Sequence, residues 1–216
     1  MPPGAGVIDS MAVLLLVTSL LVVEARRLRT AAYMYAVQSL VLVSIFLALA
    51  VWMDAKPLYV WSVTALATKV ILIPYLLLRT IQRVGEEEVE GALSTATSVI
   101  IAALLVALSF GITGLLQEYA ILRVKIVLAV SVAHFLLGLL AILTQKNALK
   151  QILGYCLMEN GSHLTLALTA YNASETVEIG IVTDAVFAVA IMTVLVRRLH
   201  SGFGTLNSDR YTLLKG

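Results

Sequence analysis

The stretch KNALKQILGYCLMENGSHL, residues 146–164, opens like a lipid-spanning helix, yet it carries Tyr155, Cys156, Glu159, Asn160 and His163. On a helix, residues four apart share a face. Gln151, Tyr155, Glu159 and His163 therefore form one stripe, with Cys156 and Ser162 beside it. A charge at the bilayer centre costs at least about 2.5–3.5 kcal/mol on insertion scales. The segment is therefore a lipid-compatible helix with one polar face that needs a reason to be there.

The rest of the chain supports the bilayer as its solvent. Of 216 residues, 60% are hydrophobic and 13% are charged. Soluble domains hold about 45–50% apolar and about 25% charged residues. The mean hydropathy is +0.97. A net charge of +2 without a clustered basic face gives no footprint for nucleic acid. The single cysteine, Cys156, excludes an internal disulfide and a multi-cysteine zinc or iron–sulfur site. The first residues, MPPGAGVIDS, lack the basic region of a cleavable signal, so the first apolar stretch is expected to remain as a span.

A spanning helix needs about 20 mostly apolar residues. Seven segments qualify: 8–25, 32–53, 57–79, 93–116, 120–143, 147–170 and 177–197. The expected fold is an all-α polytopic membrane protein. The breaks are RRLRT (26–30), Asp54 with Lys56-Pro57, RTIQRVGEEEVEG (79–91), Gln117-Glu118, Gln145–Asn147 and Asn172–Glu178. Arg26, Arg27, Arg29, Arg79, Arg83, Lys146, Lys150, Arg197, Arg198, Arg210 and Lys215 then fall on one side. Basic residues favour the cytoplasmic side. This puts the C-terminus in the cytoplasm and the N-terminus outside. Arg123 and Lys125 depart from the pattern: their long stems reach the outer headgroups, or Lys125 joins a buried line of charge. The long charged loop and the turn at 117–119 divide the chain into a four-helix part, 1–118, and a three-helix part, 119–216.

Four ionisable residues lie deep by residue count. At 1.5 Å per residue, Lys69, His134 and Glu159 all come about 18–21 Å below the outer surface. Asp184 comes at about 10 Å. Three of the four thus share one layer. Desolvation strengthens a carboxyl group's hold on H⁺ and a neighbouring cation weakens it; histidine titrates near neutrality unaided. Such a set suits a proton path. The plainer reading is interhelical glue. For Glu159 the cost of a carboxylate favours a functional role. Asp184 and Lys69 are balanced between the two, Lys69 having a structural pair with an acid as its alternative. For His134 and His163 the structural reading leads. Cys156 reads as a small packing residue, and Asn160-Gly161 as a site of close helix approach. Pro74 reads as a kink in the third helix, and Gly111 and Gly114 as packing positions in the fourth.

Gly138, the turn K-N-A-L (146–149), the run G-Y-C-L-M-E-N-G (154–161) and the tail T-L-N-S-D (205–209) resemble the three-helix K subunit of respiratory complex I and its antiporter homologues. The longer form, with four helices in front, resembles the hydrogenase-4 component E family of formate hydrogenlyase-type complexes. The front helices match mainly by number and by the position of Lys69. In the K-subunit pattern the first key glutamate would fall at Cys156, and Glu159 comes one turn later on nearly the same face. The second would fall at Ala188, with Asp184 one turn earlier.

The resemblance implies one piece of a larger complex in a prokaryotic plasma membrane. Its partners would be antiporter-like subunits and a hydrogenase membrane anchor. Glu159 would take and release a proton, and Asp184 the next. Lys69 and His134 would modulate or extend the line, with His163, Tyr155 and Lys125 as further members. No cofactor is expected in this chain: it has no cluster cysteines, no nickel-ligating pairs and no dinucleotide glycine motif. The alternatives are a K-like subunit of a multi-subunit cation/proton antiporter, whose K-like member is normally the short form, and a purely structural spacer. A retinal protein is excluded, because residues 177–197 hold no lysine. A stand-alone membrane enzyme has no motif here.

Overall fold

Helix boundaries fall where backbone chemistry puts them. The first helix, α1 (Ala5–Glu24), runs into Arg26 and Arg27, and Arg27 is extended at the start of α2 (Leu28–Trp52). Asp54 turns the chain with φ 54°, a conformation that Asp tolerates better than most residues. The third helix, α3 (Leu58–Val84), ends at Gly85, whose φ of 77° is the left-handed cap that glycine supplies without strain. Ser94 Oγ accepts from the Thr97 amide at 3.2 Å and opens α4 (Thr95–Leu116). The fifth helix is α5 (Lys125–Thr144). Asn147 caps α6 (Ala148–Ala170), its Oδ1 accepting from the amides of Leu149 at 2.9 Å and Lys150 at 3.4 Å. The last helix is α7 (Glu175–Phe203).

The computed structural model describes residues 5–85, 88–89, 91–116, 121, 124–172 and 175–208. Glu118, Arg123, Asp209, Arg210 and Lys215 lie outside them. Asp184 is described in its backbone only. Among the described residues the chain is helical with no strand, as expected. Two helices outrun their expected ends. Val84 is followed by the first true breaker, and Leu77, Ile81 and Val84 keep the extension of α3 buried while Arg79 and Arg83 stay exposed. α7 continues past Arg197 and Arg198 until Gly204, with φ 70°.

Among the described residues, six helices are long and apolar enough to cross a membrane by composition: α1 to α5, and Ala185–Phe203 of α7. The exception is α6, whose polar residues lower its hydropathy. It is correspondingly enclosed, packed mainly on α5 and also on α2, α7 and α1. The α5–α6 contact is backbone on backbone. A Cβ on Gly138 would sit 2.2 Å from the Met158 nitrogen, and one on Gly161 would sit 2.4 Å from the Phe135 nitrogen. By contrast, Gly111 and Gly114 have no heavy atom within 4 Å of such a Cβ. The expectation that they pack within the bundle is corrected: they face outward.

One apolar core joins residues of α1, α2, α3, α5 and α6, and a second joins these helices with Val189 and Val196 of α7. Both cross the expected division at 118. At one end of the bundle the basic segments meet, tied by isolated bridges pairing Arg27 with Glu88, Gly91 with Gln145 and Asn147 with Asn207. They border a polar cleft of about 1060 Å³.

Candidate functional site

The site begins with a local irregularity in α3. Residues Leu66–Leu72 form π-helical turns, and the Ile73 amide bonds the Thr68 carbonyl five residues back. Pro74 follows directly. Its ring clashes with the carbonyl four residues earlier in a regular helix, and the wider turn relieves that clash. The expected proline effect thus takes the form of a π segment within a continuous helix. Such segments cluster at functional positions, and this one holds Lys69, which is 1% exposed.

Lys69 Nζ donates to Glu159 Oε2 in a buried ion pair and to Asn160 Oδ1 at 2.8 Å. Asn160 Nδ2 donates to Gln38 Oε1 at 3.0 Å, and Ser39 Oγ donates to the same oxygen at 3.3 Å. Gln38 Nε2 lies 3.1 Å from His134 Nε2. His134 Nδ1 lies 2.6 Å from Ser19 Oγ, whose hydroxyl donates to the Leu15 carbonyl. The line crosses five helices: α6 and α3, then α2, α5 and α1. Asn160, Gln38, Ser39, His134 and Ser19 are all fully buried.

The donor direction along this line is fixed from one end. Lysine has only donors, so the Asn160 oxygen faces it and the Asn160 N–H₂ faces Gln38. The Gln38 oxygen must then receive it, which turns the Gln38 N–H₂ toward His134. A bare Nε2 is the only acceptor His134 can offer there. A neutral ring with one bare nitrogen carries its hydrogen on the other, Nδ1, which donates to Ser19. Each bond thus donates away from the lysine charge. Several kcal/mol of desolvation per ion are offset only where pairing and hydrogen bonds are good. The Lys69–Glu159 pair has both, except at Glu159 Oε1, which is buried without a partner. The Tyr35 hydroxyl, also unpartnered, lies beside Cys156 and Glu159.

The remaining expected residues are dispersed. His163 shares a face with Glu159 but lies between Trp61 and Phe46, at ring distances of 5.0 and 5.1 Å, with neither ring nitrogen bonded. Tyr155 is half-buried against the second apolar core. Lys125 is exposed as the first residue of α5, nine residues before His134. The Asp184 side chain lies outside the described residues. Cys156 is buried in packing, as expected. Asn160, expected as a packing residue, is instead the hub of the line, while Gly161 alone makes the close approach.

Gln38, Ser39 and Ser19 escaped the sequence reading. A Gln-Ser pair inside an apolar run carries the same desolvation argument as a charge, at smaller cost, and that signal was present. Lys150 also has a part: Nζ donates to the Val22 and Val23 carbonyls at 2.7 and 2.9 Å. It closes the C-terminal end of α1, where cations suit the helix dipole.

Comparison with known proteins follows this geometry. The family model described as NADH-ubiquinone/plastoquinone oxidoreductase chain 4L matches residues 126–216. The chain is 44% identical over 214 residues to hydrogenase-4 component E of Escherichia coli (strain K12), covering 99% of each. The same figures hold for hydrogenase-4 component E of Shigella flexneri. It is 28% identical over 206 residues to an uncharacterized protein of Mycobacterium tuberculosis, covering 93% of this chain and 92% of the relative. No solved structure matches the chain.

Proposed function

Because this chain belongs to the hydrogenase-4 component E family and so is a membrane-arm subunit of a complex I-like hydrogenase, we propose that its buried polar line takes part in proton (or sodium) translocation coupled to redox chemistry in partner subunits. The observation that carries this reading is the Lys69–Glu159 pair, one carboxylate oxygen of which is buried and free. A carboxylate with one cation partner and one open oxygen can exchange H⁺ when its neighbour moves. Glu159 takes and releases the proton. Lys69 sets how tightly Glu159 holds it, and the Asn160–Gln38–His134 line extends the charge across the bundle. Asp184 on α7 handles the next transfer, with His163, Tyr155 and Lys125 as outlying members.

Residues 119–216 act as the K-subunit-like part, and 1–118 as the added part that supplies Lys69, Gln38 and Ser19. The basic end faces the cytoplasm of a prokaryotic cell, whose plasma membrane the chain crosses. The outward apolar faces of α4, with Ile100, Leu104 and Leu115, and of α7, with Phe187 and Ile191, meet lipid, antiporter-like subunits and the hydrogenase anchor.

A structural reading has one observation in its favour: within the line from Lys69 to Ser19, nearly every polar group is satisfied, as interhelical glue requires. Glu159→Gln in the intact complex, reconstituted in sealed vesicles, separates the two. Loss of H⁺ movement with assembly and redox turnover retained supports the path. Unchanged H⁺ movement removes Glu159 from it.

A further inference from the structure

The line from Lys69 to Ser19 has a property that its two ends share. Its two middle members, Asn160 and Gln38, are amides, and each presents an oxygen on one side and an N–H₂ on the other. A carboxamide does not readily pass a proton through itself, so the line is a poor wire for H⁺. It is well suited to passing an orientation. We propose that Gln38 and Asn160 form a two-position amide relay that ties the hydrogen-bonding state of His134 to that of Lys69.

In the observed position every amide oxygen faces Lys69 and every N–H₂ faces His134. Adding one H⁺ from the aqueous phase to the bare His134 Nε2 forms an N–H bond and leaves an imidazolium. That N–H meets the Gln38 N–H₂, donor against donor. Relief requires the Gln38 amide to turn over, which brings its N–H₂ against the N–H₂ of Asn160. Asn160 must then turn as well and present N–H₂ to Lys69. The lysine loses its neutral acceptor and keeps only Glu159. In the reverse sense, a Lys69 that draws away from Asn160 frees the Asn160 amide and leaves Gln38 oriented only by the long Ser39 bond of 3.3 Å, which loosens His134 from its single tautomer. The ends are 65 residues apart in sequence and lie on α3 and α5, yet they cannot both hold hydrogens toward the same amide line.

The relay is confined. Among the described residues, Glu159 and Cys156 from α6, Lys69 from α3 and Tyr35 from α2 are the titratable groups around it, with His163 one turn further along α6. From α1 it meets Ser19. The α4 side of α5 contributes apolar packing through Ala102 and Leu105. The tight glycine contacts between α5 and α6 fix the backbone that carries His134 and Asn160.

Gln38 and Asn160 are therefore positioning residues. The inference rests on the proton-path reading for its use but is measured separately from it, because the readout is a tautomer and not translocation. The full-length chain, labelled with ¹⁵N-histidine and embedded in phospholipid vesicles, is examined by solid-state NMR. A His134→Asn sample identifies the resonance. Wild type gives a single neutral form, with Nδ1 protonated and Nε2 bare. Lys69→Met and, in case that variant does not fold, Asn160→Leu release the amides, and an Nε2-protonated population appears beside the first. A wild-type spectrum with Nε2 protonated overturns the relay. So does an Asn160→Leu spectrum, from a folded chain, that keeps the single wild-type form. A purely structural role for these amides would leave the tautomer unmoved.

Discussion

Two histidines lie fully buried in this bundle, and their surroundings are opposite. His134 has both ring nitrogens occupied, by Gln38 at 3.1 Å and Ser19 at 2.6 Å. His163 has neither occupied, and its ring lies against Trp61 and Phe46. In the sequence His163 stands on the polar stripe of Gln151, Tyr155 and Glu159, whereas His134 is a lone histidine on an apolar helix. The difference teaches that burial alone does not place a titratable side chain in a hydrogen-bonded line. What decides is whether the neighbouring helices offer polar atoms at the same depth. Around His134 they do, because Ser19 and Gln38 come from two other helices. Around His163, one turn beyond Glu159, they offer aromatic rings. A charged imidazole at 163 would have no counter-group within hydrogen-bond reach, whereas His134 is already inside a polarised chain.

The strongest way to break this contrast is to remove the charge at the head of the line. Lys69→Met leaves the Glu159 carboxylate buried and unpaired, which costs about 3–5 kcal/mol. Thermal unfolding of the assembled complex in detergent is expected to show a large loss, and an unchanged transition would mean that the pair contributes little. Next comes the scaffold that holds both histidines in register. Gly138→Ala forces a Cβ into the Met158 backbone, with an overpacking cost of about 1–3 kcal/mol. The same measurement reads it, with reduced recovery of assembled complex.

The contrast itself is sharpened by one substitution at each histidine. His134→Leu strands the Gln38 amide and leaves the depth of the bundle with an unpaired donor, at about 1–3 kcal/mol. His163→Phe deletes two nitrogens that have no partner and keeps an aromatic ring between Trp61 and Phe46. Its expected change is under about 1.5 kcal/mol, as for other volume-conserving swaps. Equal losses at the two sites would contradict the distinction drawn between them.

Much of this was legible before the structure. Apolar length and basic punctuation point to seven helices, and the cost of intramembrane charge points to Lys69, Glu159, His134 and Asp184, of which the first three share one hydrogen-bonded line and the side chain of the fourth lies outside the described residues. The partners of these groups were less legible. Gln38, Ser39 and Ser19 are short or neutral polar residues in apolar runs, and nothing in a single helix says which face a neighbour will cover. Asn160 reads as a packing residue because Gly161 stands beside it, and only the three-dimensional contact separates the two roles. The π turn at Lys69 was hinted at by Pro74 but not specified, since a proline in a long helix resolves its clash in several ways. Gly111 and Gly114 face outward because a residue suited to close contact says nothing of whether another helix arrives.

The account stands on the claim that Lys69 and Glu159 act in translocation and do more than hold helices together. Both charges can be removed at once. Replacing a buried ion pair by hydrophobic groups of similar volume is often neutral for stability, so Lys69→Met with Glu159→Met is expected to assemble. Reconstituted with its partners in sealed vesicles, this double variant is assayed for ions moved per redox turnover. The account predicts that turnover persists and ion movement is lost. Ion movement at the wild-type ratio, in a complex properly assembled, would contradict it.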